Sequence, residues 1–172
     1  HGGIACSQCH LGGTPSTEFR PCSTMTDPVD CSVCHAEAVL DHESSVHGYL
    51  AKHRDPDAPQ CGDCHERHYT LGKEQPDSPT FPTNVPRLCG RCHQEGAQAA
   101  SRSTTSEHEI VAHYTMSVHG KGLIESGLLV TAVCTDCHTT HRALPASDPE
   151  SSVHANAVAA TCANCHIGLE SS

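Results

Sequence analysis

The sequence predicts a fold of short α-helices and much coil, with little or no β structure. Three observations predict it. Hydrophobic residues make up 36% of the 172 positions, yet thirteen of them are Cys, and the chain has no Trp, two Phe and three Tyr. That is a thin supply for an interior of ordinary kind. The stretch 72–87 carries Pro76, Pro79, Pro82 and Pro86, which reads as extended loop. Finally, twelve of the thirteen Cys fall into one five-residue pattern, Cys-x-x-Cys-His, repeated six times.

The copies are Cys6-Ser7-Gln8-Cys9-His10, Cys31-Ser32-Val33-Cys34-His35, Cys61-Gly62-Asp63-Cys64-His65, Cys89-Gly90-Arg91-Cys92-His93, Cys134-Thr135-Asp136-Cys137-His138 and Cys162-Ala163-Asn164-Cys165-His166. Composition alone would supply about 0.1 copies. The spacing is that of covalent haem attachment. Two thiols add across the two vinyl groups of haem from one tight turn, and the His that follows becomes the proximal axial ligand. Paired Cys-x-x-Cys units can also make zinc sites, and Cys-rich exported chains are often stapled by disulfides. Neither alternative requires a His directly after the second Cys, and here it is present six times out of six. Only Cys22 is left over, and it reads as an unpaired structural thiol.

Six haem c groups would supply the missing interior, at about 29 residues per haem. The fold class is therefore that of a multihaem cytochrome c: mostly coil with short α-helices, packed around a haem chain. Its apo form is expected not to fold, because cofactor burial substitutes for side-chain burial. Haem is attached to this motif outside the cytoplasm, so an extracellular or periplasmic location is expected. No signal peptide and no apolar run of about 18 residues is visible, which suggests a mature product without its own membrane anchor. The start at His1-Gly2-Gly3 fits cleavage. The formal charge of −10 makes nucleic acid an unsuitable partner.

The motif starts at 6, 31, 61, 89, 134 and 162 reveal internal repetition. The pairs 61/89 and 134/162 are offset by 73, and Ser45-Val46-His47-Gly48 and Ser117-Val118-His119-Gly120 by 72. The expected organisation is a single hexahaem domain over 1–172. Within it, a two-haem N-terminal segment (1–35) precedes a duplicated two-haem unit (36–98 and 108–168). The best helical stretch is 107–130, with Ile110, Val111, Tyr114 and Val118 at steps of one, three and four. Residues 36–50 look similar but shorter, 12–30 read as loop, and 96–106 as a polar linker.

The six proximal ligands leave ten of the sixteen His: His1, His42, His47, His53, His68, His108, His113, His119, His141 and His154. His47, His119 and His154 share a Ser-Val-His context and are read as distal ligands. So are His68 and His141, since a His three residues beyond a proximal one points away from its own haem. For the sixth distal ligand the sequence favours His113, with His108, His42, His53 and His1 as alternatives. His1, at a chain terminus, could reach another subunit. Met25 and Met116 could ligate iron, but with so many spare His they read as packing residues.

The run from Tyr114 through Ser117-Val118-His119-Gly120-Lys121-Gly122-Leu123, Ser126-Gly127-Leu128, Cys134-Thr135-Asp136-Cys137-His138-Thr139-Thr140-His141, Leu144-Pro145, Asp148-Pro149 and Cys162-Ala163-Asn164-Cys165-His166 resembles bacterial and archaeal multihaem cytochromes of respiratory and extracellular electron transfer. The resemblance implies distal ligation by His47, His119, His68 and His141. It also implies that assembly into an extracellular cytochrome filament is open to the chain, with a His of one subunit able to ligate a haem of the next. The first repeat departs from the pattern, for Ser78-Pro79-Thr80-Phe81 has no His where the second has Ser152-Val153-His154.

The expected function is electron transfer through six bis-His haems, as a homo-oligomeric filament subunit or a discrete periplasmic shuttle, with redox proteins or extracellular acceptors as partners. A multihaem reductase would need one open iron, for which the Cys89 or Cys6 haem is the candidate. The Cys-x-x-Cys-Lys variant of such enzymes does not occur.

Overall fold

A computed structural model describes residues 1, 3–10, 29–102 and 108–167. Among them are ten short helices and no strand, the coil-rich architecture expected from the sequence. The helices are α1 (Cys6–Cys9), α2 (Ser32–Glu43), α3 (Val46–Lys52), α4 (Cys61–His65), α5 (Val85–His93), α6 (Gln98–Arg102), α7 (Ile110–Met116), α8 (Val118–Ile124), α9 (Cys134–His138) and α10 (Val158–Ala163). Among the described residues no helix is long and apolar enough to cross a membrane.

Two helical hairpins set the frame. The expected helix over 107–130 is broken at Ser117 into α7 and α8, and α2 and α3 meet in the same way at Ser45. Each Ser hydroxyl is used twice. Ser45 donates to the His42 carbonyl at 2.6 Å and accepts from the Gly48 N–H at 3.1 Å; Ser117 does the same with Tyr114 and Gly120 at the same distances. The Ser is therefore the N-cap of the second helix, satisfying one of its orphan donors. The Gly is required by the crossing. A Cβ at Gly48 would lie 2.0 Å from the His42 carbonyl oxygen, and one at Gly120 2.0 Å from that of Tyr114. Ser-Val-His-Gly thus reads as cap, first turn and close approach, and it fixes His47 and His119 at the second position of a helix.

The Cys-x-x-Cys-His turns follow another local rule. In α1, α4 and α9 the backbone N–H before the first Cys donates to the side chain of the residue before the second. Ala5 bonds Gln8 at 2.8 Å, Gln60 bonds Asp63 at 2.7 Å, and Val133 bonds Asp136 at 2.7 Å. Directly after α4 and α9 the chain takes φ of 59° at Glu66 and 64° at Thr139, a region uncommon for side chains with a Cβ. This ends the one-turn helix and starts the segment that carries His68 and His141. In α2 the motif forms a separate turn, set off by non-helical backbone at His35 (φ −120°, ψ 42°).

Packing between side chains is sparse. Val85, Leu123 and Val133 form the buried cluster, with Cys89, Tyr114 and Cys134 against it, and the Tyr114 hydroxyl donates to the Ala132 carbonyl at 3.0 Å. Around this cluster α5 packs on α6, α7 and α9. Apolar residues elsewhere face outward, with Val118 86% and Val130 92% exposed. The polypeptide exposes 12420 Å², against about 8,100 Å² for a compact protein of 18.2 kDa. The region read as a polar linker, 96–106, contains α6, whose Arg102 is clamped to Asp55 and lies 3.3 Å from Asp57. Cys22, Met25 and most of the loop read at 12–30 lie outside the described residues.

Candidate haem centres

The fold brings imidazoles together in pairs, and each pair holds one motif histidine. His10 faces His68 with ring centroids 6.4 Å apart, His65 faces His141 at 6.0 Å, His93 faces His47 at 6.2 Å, and His166 faces His119 at 6.0 Å. His35 faces His1 at 5.7 Å, their Nε2 atoms 3.4 Å apart. An imidazole nitrogen binds a first-row metal at about 2.0–2.1 Å, and the ring centre lies about 1.1–1.2 Å further on, so two trans imidazoles bridged by one ion have centroids about 6.3 Å apart. The five observed separations lie at or slightly below that value. The residues fit the group that the motifs imply.

Local electrostatics keep several of these rings neutral, the form that can donate a lone pair to a metal. Burial, the neighbouring His93 and then His42 push His47 below the usual histidine range. Burial followed by His141 and His35 does the same to His65, and burial followed by His138 to His93.

The thiols show which motifs abut. Burial first, then the adjacent Cys61 and, more weakly, Cys9, push the Cys31 thiol up. Cys64 is pushed up mainly by burial, with Cys92 close by. Cys89 shares a thiol hydrogen bond with Cys134, which holds Cys89 protonated and lowers Cys134. Cys137 is raised by burial and by Cys162. Every motif therefore lies beside the next one in the sequence.

Of the histidines read as distal ligands, His47, His68, His119 and His141 each face a motif His, at sequence separations that spacing does not reveal. His154 and His113 stand elsewhere. His154 accepts through Nδ1 from the Asn156 N–H at 3.2 Å, and His113 lies 4.0 Å from the Glu109 carboxylate. His1, expected to reach another subunit if it ligates at all, faces His35 of its own chain. A signal was present: His1-Gly2 repeats the His-Gly of His47-Gly48 and His119-Gly120.

Residues 53–98 match the family model for the doubled CXXCH motif. The match indicates haem c binding. It supports a multihaem c-type cytochrome-like protein. Neither the curated proteins nor the solved structures contain a significant match to the chain.

Proposed function

We propose that the chain binds six haem c groups and carries electrons along them, outside the cytoplasm. The observation that carries this reading is the set of five imidazole pairs at separations suited to an intervening iron. When bound, haem c supplies one-electron exchange between ferric and ferrous iron. The protein's part is attachment, ligation and spacing. The twelve motif Cys anchor, and His10, His35, His65, His93, His138 and His166 ligate on one side. His68, His1, His141, His47 and His119 close the other side of the Cys6, Cys31, Cys61, Cys89 and Cys162 centres. Because successive motifs abut in chain order, electrons would hop from the Cys6 end to the Cys162 end without a break.

Filled bis-His irons suit a carrier rather than an enzyme. A conduit with an end at each terminal motif also suits head-to-tail repetition, since a heterologous contact that does not close yields a filament. We therefore extend the proposal to a homo-oligomeric subunit of an extracellular cytochrome filament, passing electrons to redox proteins or extracellular acceptors. Electron microscopy of the purified protein tests the assembly: filaments are expected, and discrete particles would make it a periplasmic shuttle.

Denaturing mass spectrometry tests the cofactor content. The expected mass is the chain plus six haems, and a smaller number in fully matured protein refutes the reading. Ligation is tested by His119→Ala and His141→Ala. Each should add one high-spin, carbon-monoxide-binding haem to the count of the parent protein; no change in either would remove these residues as ligands.

A further inference from the structure

The imidazole pairs obey a rule that sequence alone did not reveal. The His of each His-Gly pair (His1, His47, His119) faces the proximal His of the second motif that follows it (His35, His93, His166). The His three residues after a leading motif faces the leading motif one two-haem unit earlier, His68 to His10 and His141 to His65. Continued once more, the second part of the rule leaves His138 to be served by a unit after Cys162, and no residue of the 172 stands in that relation to it. All sixteen His lie among the described residues. His138, whose ring is exposed, is the one motif His among them that faces no second imidazole.

His154 would be the natural substitute, but its surroundings give it another role. It occupies the position of Phe81 in the preceding unit, and the two turns match bond for bond. Ser78 and Ser151 donate to the Leu71 and Leu144 carbonyls at 3.2 and 3.1 Å, and accept from the Thr80 and Val153 N–H groups at 3.3 Å. Phe81 and His154 both bond back to that Ser at 3.0 Å, and Asn84 and Ala157 bond back to them at 2.8 Å. Phe81 has no metal-binding chemistry, so the position is a structural one. At His154, moreover, Nδ1 accepts the Asn156 N–H, which leaves the hydrogen on Nε2 and removes that nitrogen as a neutral donor.

We infer that the Cys134-Cys137-His138 centre is the ligand-accessible haem of this chain, its distal face open to small electron-pair donors from outside the protein: imidazole or cyanide on ferric iron, carbon monoxide on ferrous. This rests on the six-haem reading above. It differs from the sequence-based expectation, which put an open iron at the Cys89 or Cys6 haem. Those two centres have His47 and His68 opposite their proximal ligands. The open centre would lie inside the conduit, with the Cys89 motif on one side and the Cys162 motif on the other. A ligand bound there would meet electrons arriving from either end.

The test is an optical titration of the intact six-haem protein with imidazole (oxidised) and carbon monoxide (reduced). Mass spectrometry first establishes six haems; a lower count defeats the six-haem reading, whereas the ligand count addresses the open site. One ligand per chain is expected, unchanged in His154→Phe and His154→Ala, and absent in Cys134→Ala/Cys137→Ala, which loses that haem. Six low-spin haems with no ligand uptake would overturn the inference. So would uptake that appears only in His154→Ala, which would make His154 the sixth ligand, or uptake that survives in the Cys134→Ala/Cys137→Ala protein. If the double Cys variant does not mature, the two His154 variants decide the matter alone.

Discussion

His47 and His119 owe their places to the Gly that follows each of them. At Gly120 a methyl group would lie 2.0 Å from the Tyr114 carbonyl oxygen, a backbone atom that cannot step aside. Gly120→Ala should therefore cost about 1–3 kcal/mol by overpacking and displace α8, opening the haem that His119→Ala opens. The check is the carbon monoxide difference spectrum, which should match in the two variants. A second residue-scale expectation concerns acid. Hydrogen bonds from Arg102 hold the Asp55 carboxyl well below its ordinary range, at about 2, while an unfolded Asp titrates near 3.9. A depressed pKa stabilises the folded chain above the unfolded value and ceases to do so as pH falls through the folded one. The difference in melting temperature between the parent and Asp55→Asn should be constant above about pH 5 and vanish near pH 2. The twelve motif Cys and six proximal His were legible because their chemistry is local. Which imidazole meets which was not, since His65 and His141 are joined by the path of the chain and not by spacing.

Among the elements, the clearest difference between sequence and structure is the stretch 107–130. Its apolar spacing is helical, yet it folds as two helices because Ser117 ends one and caps the next. The capping signal was in the sequence as Ser-Val-His-Gly and was read only as a ligand context. One tetrapeptide serves both purposes, which is why it occurs twice. Ser117→Ala removes the acceptor for the Gly120 N–H and the donor to the Tyr114 carbonyl. The expected cost is about 1 kcal/mol, with partial loss of the His119 ligand field. Thermal unfolding followed at the Soret band checks the first, and the fraction of high-spin haem the second. Ser45→Ala should behave alike at the Cys89 centre, through His47. Pro86 needed no correction of principle: a Pro-rich loop ends where Pro enters the first turn of α5, the one place in a helix where its missing N–H costs nothing.

For the whole molecule, the question is what replaces a core. The buried hydrophobic residues among those described are Val85, Ala100, Leu123 and Val133, too few to offset the conformational entropy of ordering a chain of this length. Short one-turn helices such as α4 and α9 cannot persist by propensity either, because nucleation alone is unfavourable. Stability must come from ligation and from contact between apolar side chains and the haems, coupled to folding as in other sites where the bound group exists only in the folded state. This also explains why the overall architecture could be read from composition while its packing could not: the partners of Val118 and Val130 are not other residues. A chain with all twelve motif Cys replaced by Ala should therefore show a far-ultraviolet circular dichroism spectrum of coil and no cooperative melt. The six-haem protein should show helix and melt cooperatively. Replacing Cys31 and Cys34 alone should give an intermediate result, loss of one haem and of the order around His1 and His35, because each motif contacts only its neighbours in the row. A Cys-free chain that folded cooperatively would show that the polypeptide, not the haem row, carries the fold.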